Sequence, residues 1–322
     1  MRIYSCWVSL KKKKKKMDFE ILIDETFLNL NTKDGLTLIN NKNILSIIND
    51  FEDKEWRNDK FQNFIWDNIS ETALSFRERQ SLINQPLSQL REAAKKLRLT
   101  DKIKDISKGS ELAEILLYGI MKQHYKALPV VPKIYYKQNP SDNAKGADSV
   151  HIVIDEKNKD FTIWFGEAKF YNNIENSRLG EIVKSVENSL ITHKIKKENS
   201  IITDLSDLDL LIKDKEFSEK IKTALFTTQS IDKLKPKLHV PILILHECSI
   251  TKNSTTDSDS YKKEIINFHK DRAQNYYEKQ IKKFGHTLHL YSDITFHIIL
   301  FPVPEKKTIV NEFLSIASFH KK

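Results

Sequence analysis

The sequence predicts an α/β fold in which helices flank a mixed central sheet, and three features lead there. Two runs rich in β-branched and aromatic residues, Gly146–Ile154 and Phe161–Phe170, flank the polar turn Asp155–Asp160, the pattern of a β-hairpin. From Leu179 onward, segments of helical apolar spacing alternate with the apolar runs His239–His246 and Thr295–Val303, the order of an α/β chain. The 322 residues, 39% of them hydrophobic, suffice for a sizeable core in one large or two modest domains.

Residues 1–16 hold Arg2 and the six lysines Lys11–Lys16 with no acid, so of the formal charge of +9 only 9 − 7 = +2 belongs to the rest. Such a run reads as a basic tail, and a short apolar stretch ahead of it reverses the order of a secretory signal. Asp18–Ile23 begins a strand directly after Met17, which is read as the principal start; the alternative is a basic arm that touches DNA. Residues 17–100 form a mixed, mostly helical region, a layer or cap beside the sheet of residues 101–322. Its helix-like spacings are Ile44–Phe51, Phe61–Ile69 and Leu87–Leu97, with Pro86 at a helix start.

Ser110 is placed to cap a helix from Glu111 to about His124, apolar around almost its whole circumference and therefore buried. A strand over Val130–Gln138 and turn chemistry at Asn139–Asn143 lead into the hairpin. Asn173–Ser177 then introduces a helix over Leu179–Ile195, whose Lys184, Asn188 and His193 are able to approach a phosphate but read more simply as a solvated face. Leu208–Ala224 reads as helix, His239–His246 as a buried strand with Pro241 near its start, and Ser249–Ser260 as a mobile loop. An amphipathic helix over Tyr261–Phe284 closes at Gly285, followed by the strand Thr295–Val303 and a last helix near Ile309–Ala317.

Several classes are excluded along the way. No apolar run approaches the roughly 20 residues that span a bilayer, and no internal repeat, phosphate-binding glycine loop or nucleophile elbow occurs. His246, Glu247, His269, His286 and His289 lack metal spacing, and Cys6 and Cys248 form no metal or redox pair, which suits a reducing cytoplasm.

The chemistry concentrates at the open end of the hairpin. Side chains alternate faces along a strand, so one face carries Asp148, Val150, Ile152 and Ile154 on the first arm and Phe161, Ile163, Phe165, Glu167 and Lys169 on the second. A turn centred between Lys157 and Asn158 sets Ile154 opposite Phe161, Ile152 opposite Ile163, Val150 opposite Phe165 and Asp148 opposite Glu167. Facing residues hold their Cβ atoms about 4.5–5.5 Å apart, where like charges repel, so a cation belongs between these two carboxylates. Lys169, one pleat further on, is one choice and a divalent ion the other. Mg²⁺ takes oxygen ligands, typically one or two carboxylates, and the Ala168 carbonyl adds a further oxygen. Lys169 is then placed to orient or help deprotonate an attacking water, which is the chemistry of phosphodiester hydrolysis. An E-x-K alone is ubiquitous and reads equally as a surface ion pair; Asp148 at the matching end of the partner arm favours a metal site. Glu114, inside a buried helix where a carboxylate is costly unless paired or metal-bound, reads as a third acid of the site, a partner for a lysine, or a first-turn acid favoured by the helix dipole.

The element order, with Asp148 and Glu167-Ala168-Lys169, resembles the restriction-endonuclease-like PD-(D/E)XK nuclease superfamily, Ala147 standing where that pattern has proline. More narrowly, Gly146-Ala147-Asp148 and Phe165-Gly166-Glu167-Ala168-Lys169-Phe170-Tyr171, preceded by Glu114-Ile115-Leu116-Leu117-Tyr118, are similar to HamA, the nuclease family of the Hachiman anti-phage system. The likeness implies a PD-(D/E)XK core over residues 101–322 and a metal-dependent DNase; the reading adopted is a sequence-nonspecific deoxyribonuclease using Mg²⁺, or Mn²⁺ in its place. The likeness also implies a helicase partner, HamB, that senses DNA and holds the nuclease in check. By that likeness Asp148 and Glu167 bind metal, Lys169 assists the attacking water and Glu114 is the upstream acid. The near-neutral body suits delivery to DNA by a partner. The rival reading is a non-catalytic adaptor of a helicase with an idle nuclease fold.

Overall fold

The computed structural model describes residues 17–27, 41–98, 110–136, 147–204, 207–226 and 228–322. The basic tail, the turn at Asn139–Asn143 and Gly146 lie outside them.

Seven strands form one mixed sheet: β1 (Glu20–Thr26), β2 (Lys42–Ile48), β3 (Leu128–Val131), β4 (Ser149–Asp155), β5 (Asp160–Tyr171), β6 (Leu238–Glu247) and β7 (Thr295–Val303). Their spatial order is β1-β2-β7-β6-β5-β4-β3. The β2-β7, β7-β6 and β6-β5 pairs are parallel, and β1-β2, β5-β4 and β4-β3 antiparallel. Helices α1 (Asn58–Ala73), α2 (Ser110–Gln123) and α6 (Lys306–His320) cover one face, packing Phe64, Leu116 and Phe313 against Trp164, Leu243 and Phe301. Helices α3 (Asn176–Ser189), α4 (Thr192–Asp204) and α5 (Asp259–Gln280) cover the other, with Val183, Ile195 and Tyr276 against Phe165, Ile242 and Ile298. Among the described residues no helix is long and apolar enough to cross a membrane.

Several elements depart from the sequence expectation, each for a physical reason. Ile44–Phe51, expected as helix, is largely strand β2, buried on both faces between β1 and β7. A strand covered on both sides shows a continuous apolar run and not alternation, and β-branched Ile44, Ile47 and Ile48 favour the extended form. The sheet therefore takes two strands from residues 17–100. The strand expected over Val130–Gln138 is the shorter β3, which stops at Pro132, a residue without an N–H to donate; Lys133–Tyr136 turns helical. The helix expected over Leu179–Ile195 breaks near Leu190 into α3 and α4. Leu208–Ala224 divides likewise into Asp207–Leu211 and Lys215–Leu225, where Asp214 caps the second piece by accepting the Phe217 amide at 3.1 Å. Within Ser249–Ser260, Ser249–Lys252 forms a helical turn and Ser258 caps α5. Pro241 stands inside β6, and the β5-β6 ladder steps from Trp164↔His239 to Glu167↔Ile242 across it.

A buried lysine sits far from the hairpin. Lys42 of β2 is fully buried, with its Nζ 2.8 Å from Asn41 Oδ1 and 4.2 Å and 4.5 Å from the ring centres of Tyr291 and Phe296. Burial lowers its pKa to about 6. A group whose folded pKa lies below its unfolded value disfavours the folded state most at low pH, and the penalty fades as pH rises towards the unfolded value. Lys42→Met should therefore raise the thermal midpoint near pH 6, with the advantage over wild type shrinking towards pH 10 at no more than about 1.4 kcal/mol per pH unit. Thermal unfolding of both proteins across that range checks it.

Candidate active site

Up to Ser149 the hairpin forms in the register expected. Ile154 faces Phe161, Ile152 faces Ile163 and Val150 faces Phe165, but the ladder ends at Ser149↔Gly166 and the expected pairing of Asp148 with Glu167 is not formed. At the turn, Asp155 accepts the amides of Lys157 (3.0 Å) and Asn158 (3.2 Å), and Lys159 takes the left-handed conformation with φ 46°.

Past Ser149 the two strands part. The Asp148 amide donates to the Gly166 carbonyl at 2.7 Å, so two successive residues of the first arm meet Gly166, as in a β-bulge. The Asp148 side chain then reaches forward, and its Oδ2 accepts the Ala168 amide at 3.1 Å. An extended residue turns its N–H and C=O to the same neighbour, so the Ala168 carbonyl is turned to the side where Asp148 stands.

Glu167 and Lys169 point to the face covered by α3 and α5. Lys169 Nζ lies 2.5 Å from Glu167 Oε1 and 3.5 Å from Asp148 Oδ2. Ser185, on α3, donates to the same Glu167 Oε1 at 2.5 Å, leaving Oε2 outside both contacts. Burial alone would push the Lys169 ammonium down, but Asp148 and Glu167 outweigh it and hold its pKa above the usual lysine value. Burial pushes the Glu167 carboxyl above the usual range and Asp148 adds to that, while Lys169 and Ser185 pull it partly back. The ammonium thus lies between two acids that would otherwise repel, with Glu167 nearly buried (side chain 7% exposed) and Lys169 reachable from solvent (31%).

Glu114 is also buried, but on α2, which covers the opposite face. Leu117, one turn on, packs over Gly166, and Tyr125, just past the helix end, lies 4.7 Å from Trp164. Glu114 therefore stands towards the Glu167 end of β5 but behind the sheet. The structure brings Asp148, Glu167, Ala168 and Lys169 together and places Glu114 across from them. Among the described residues no group of three or more His, Cys, Asp and Glu side chains is arranged to hold a metal ion. The oxygen set is two carboxylates and the Ala168 carbonyl, hard donors that suit Mg²⁺ or Mn²⁺ when solvent and substrate complete the shell. Lys184, Asn188 and His193 are exposed.

Sequence reasoning missed Ser185. It borders the apolar stripe Leu179, Ile182, Val183, Val186 that docks α3 on the sheet, and a hydroxyl at such a border was the available signal.

Gly166 is a point of close approach. A Cβ there would stand 2.1 Å from Ser149 Oγ and 2.8 Å from Leu117 Cδ2, so the Ser149 and Leu117 side chains must both shift to admit a larger residue. Gly166→Ala should destabilise the fold by about 1–3 kcal/mol, read as a lower urea midpoint with little change of slope.

No curated protein matches the chain closely enough to count as a relative. A family model described as HamA matches residues 22–317, nearly the whole chain and all of the site residues, so the chain belongs to the HamA family.

Proposed function

We propose that this chain is a divalent-cation-dependent deoxyribonuclease acting as the effector of its defence system. HamA membership makes it a component of Hachiman anti-phage defence; the nuclease reading rests chiefly on Lys169 lying against both Asp148 and Glu167 at the end of the hairpin. The order of α2, the hairpin, α3 and β6 supports a restriction-endonuclease-like core. The cation, Mg²⁺ or Mn²⁺, would be held by Asp148, Glu167 and the Ala168 carbonyl, and would supply Lewis-acid stabilisation of charge on the phosphate and acidify the attacking water.

The chain's own residues carry the remaining tasks. Asp148, tied to the Ala168 amide, and Glu167, tied to Ser185, are fixed in position before any substrate arrives. Lys169, as an ammonium, supplies a positive charge beside the scissile phosphate and orients the attacking water; taking that water's proton would require Lys169 first to release its own to solvent. Sequence-nonspecific DNA is the substrate that fits a site built on phosphate chemistry alone, and the near-neutral body (+2 outside residues 1–16) supports delivery to DNA by a helicase partner of the HamB kind.

The test is cleavage of supercoiled plasmid and of short single- and double-stranded DNA, with Mg²⁺ or EDTA, alone and with the neighbouring helicase. Cleavage should need the metal and fall about 10²–10⁴-fold in Lys169→Ala and Glu167→Gln, with folding retained. Undiminished cleavage by both variants sinks the site assignment. A folded wild type that neither cleaves nor binds Mn²⁺, yet still associates with the helicase, favours the adaptor reading. A milder effect is expected of Ser185→Ala: a several-fold weaker Mn²⁺ affinity by titration calorimetry at near-normal stability.

A further inference from the structure

The first arm of the hairpin is held from behind by a buried ion pair. Glu198, on α4, and Lys133, in the turn of helix after β3, are almost fully buried (side chains 4% and 3% exposed), with Lys133 Nζ 2.5 Å from Glu198 Oε2. The other oxygen, Oε1, accepts the backbone N–H of Ala147 at 3.1 Å. One carboxylate therefore joins Lys133 to Ala147, the residue immediately before Asp148. The Asp148 amide in turn is bound to Gly166 and its carboxylate to Ala168. Ala147 and Asp148 are thus anchored at three successive points, and the first of these anchors is Glu198.

A buried pair of this kind is a poor source of stability, because the desolvation of two charges offsets their attraction and an apolar pair of similar volume often does as well. Bulk stability accordingly does not explain why Glu198 needs both oxygens. Accepting the Ala147 amide does explain it. With that N–H held, the peptide entering β4 has one orientation, and the Asp148 carboxylate is delivered to the edge of β5 beside Lys169. Lys133 sets an opposite charge against Glu198 Oε2 and leaves Oε1 to the Ala147 amide.

We infer that Glu198, neutralised by Lys133, is a positioning residue for Asp148 and thereby sets divalent-cation affinity at the site; this rests on the nuclease reading above. Groups that orient a ligand from outside the coordination sphere typically contribute about 10–100-fold in metal affinity. The Glu198 carboxylate itself meets Lys133 and the Ala147 amide.

The test compares two double variants of the full chain, Lys133→Met with Glu198→Gln and Lys133→Met with Glu198→Met. Both remove the buried charges at nearly constant volume, and only the first keeps an oxygen opposite the Ala147 amide. Their unfolding midpoints should be similar. The Glu198→Met version should show faster hydrogen exchange at the Ala147 amide and about 10–100-fold weaker Mn²⁺ binding by electron paramagnetic resonance, whereas the Glu198→Gln version stays near wild type in both. If the Glu198→Met chain does not fold, Lys133→Met with Glu198→Ala takes its place with the same readouts. Equal Mn²⁺ affinity and equal Ala147 exchange in the two versions overturn the inference while leaving the nuclease reading intact. A wild type that binds no Mn²⁺ overturns the nuclease reading and the inference with it, a pattern that the variant comparison cannot produce.

Discussion

The arrangement of the site depends on two hydrogen-bonded strands of unequal length. β4 begins at Ser149, while its partner β5 runs on to Tyr171. Beyond Gly166 the outer edge of β5 has no further ladder partner among the described residues, and a buried amide left without a partner costs about 1–3 kcal/mol. The Asp148 carboxylate takes the Ala168 amide in place of a strand. Asp148 thus has a structural task that would exist without any cation, and an aspartate at this position is not by itself a mark of catalysis. Glu167 differs: a nearly buried carboxylate on the next pleat has no ladder to complete, and instead gathers an ammonium and a hydroxyl.

The pleat divides the remaining labour. Residues 167 and 169 look towards α3 and α5, where Ser185 comes down on Glu167; residues 166 and 168 look towards α2. Gly166 and Ala168 are the two small side chains on that second face, and Gly166 admits Leu117 and Ser149 where no Cβ would fit. The packing of α2 therefore controls the same backbone that carries Glu167, although α2 and Glu167 lie on opposite sides of the sheet. A change in the α2 layer is transmitted to the site through the strand and not through contact with its side chains.

Much of this was legible in the sequence, and the failures share a cause. The hairpin, its register and the meeting of Asp148, Glu167 and Lys169 follow from period-two alternation, which one exposed turn and one apolar stripe are enough to fix. β2 escapes such a reading because burial on both faces erases alternation, leaving Ile44, Leu45, Ile47 and Ile48 equally compatible with a short buried helix. Glu114 could be recognised as buried but not assigned to a face, since the circumference of α2 is apolar nearly all round. Ser185, Glu198 and Lys133 were illegible for another reason. Each acts on the hairpin from another element, Glu198 from 51 residues beyond Ala147, and a single polar residue in a helix carries no periodic signal.

The same face of the sheet holds a second set of polar groups, and its hydrogen bonds settle their protonation. His246 on β6 directs Nδ1 at the Glu247 carbonyl (3.2 Å), which can only accept, so Nδ1 carries the proton. In a neutral ring Nε2 then accepts, and His269 on α5, 3.1 Å away, donates from its own Nε2. His269 Nδ1 is left to accept from Ser46 Oγ at 2.6 Å, on β2. The chain from Ser46 to Glu247 is complete with both rings neutral, in keeping with burial, which brings the His246 pKa down to about 4 and His269 well below its ordinary value. An added proton would set two N–H groups against each other or leave Ser46 without its acceptor. These histidines tie β2, β6 and α5 together as neutral groups, and the charged chemistry of this face belongs to the end of β5.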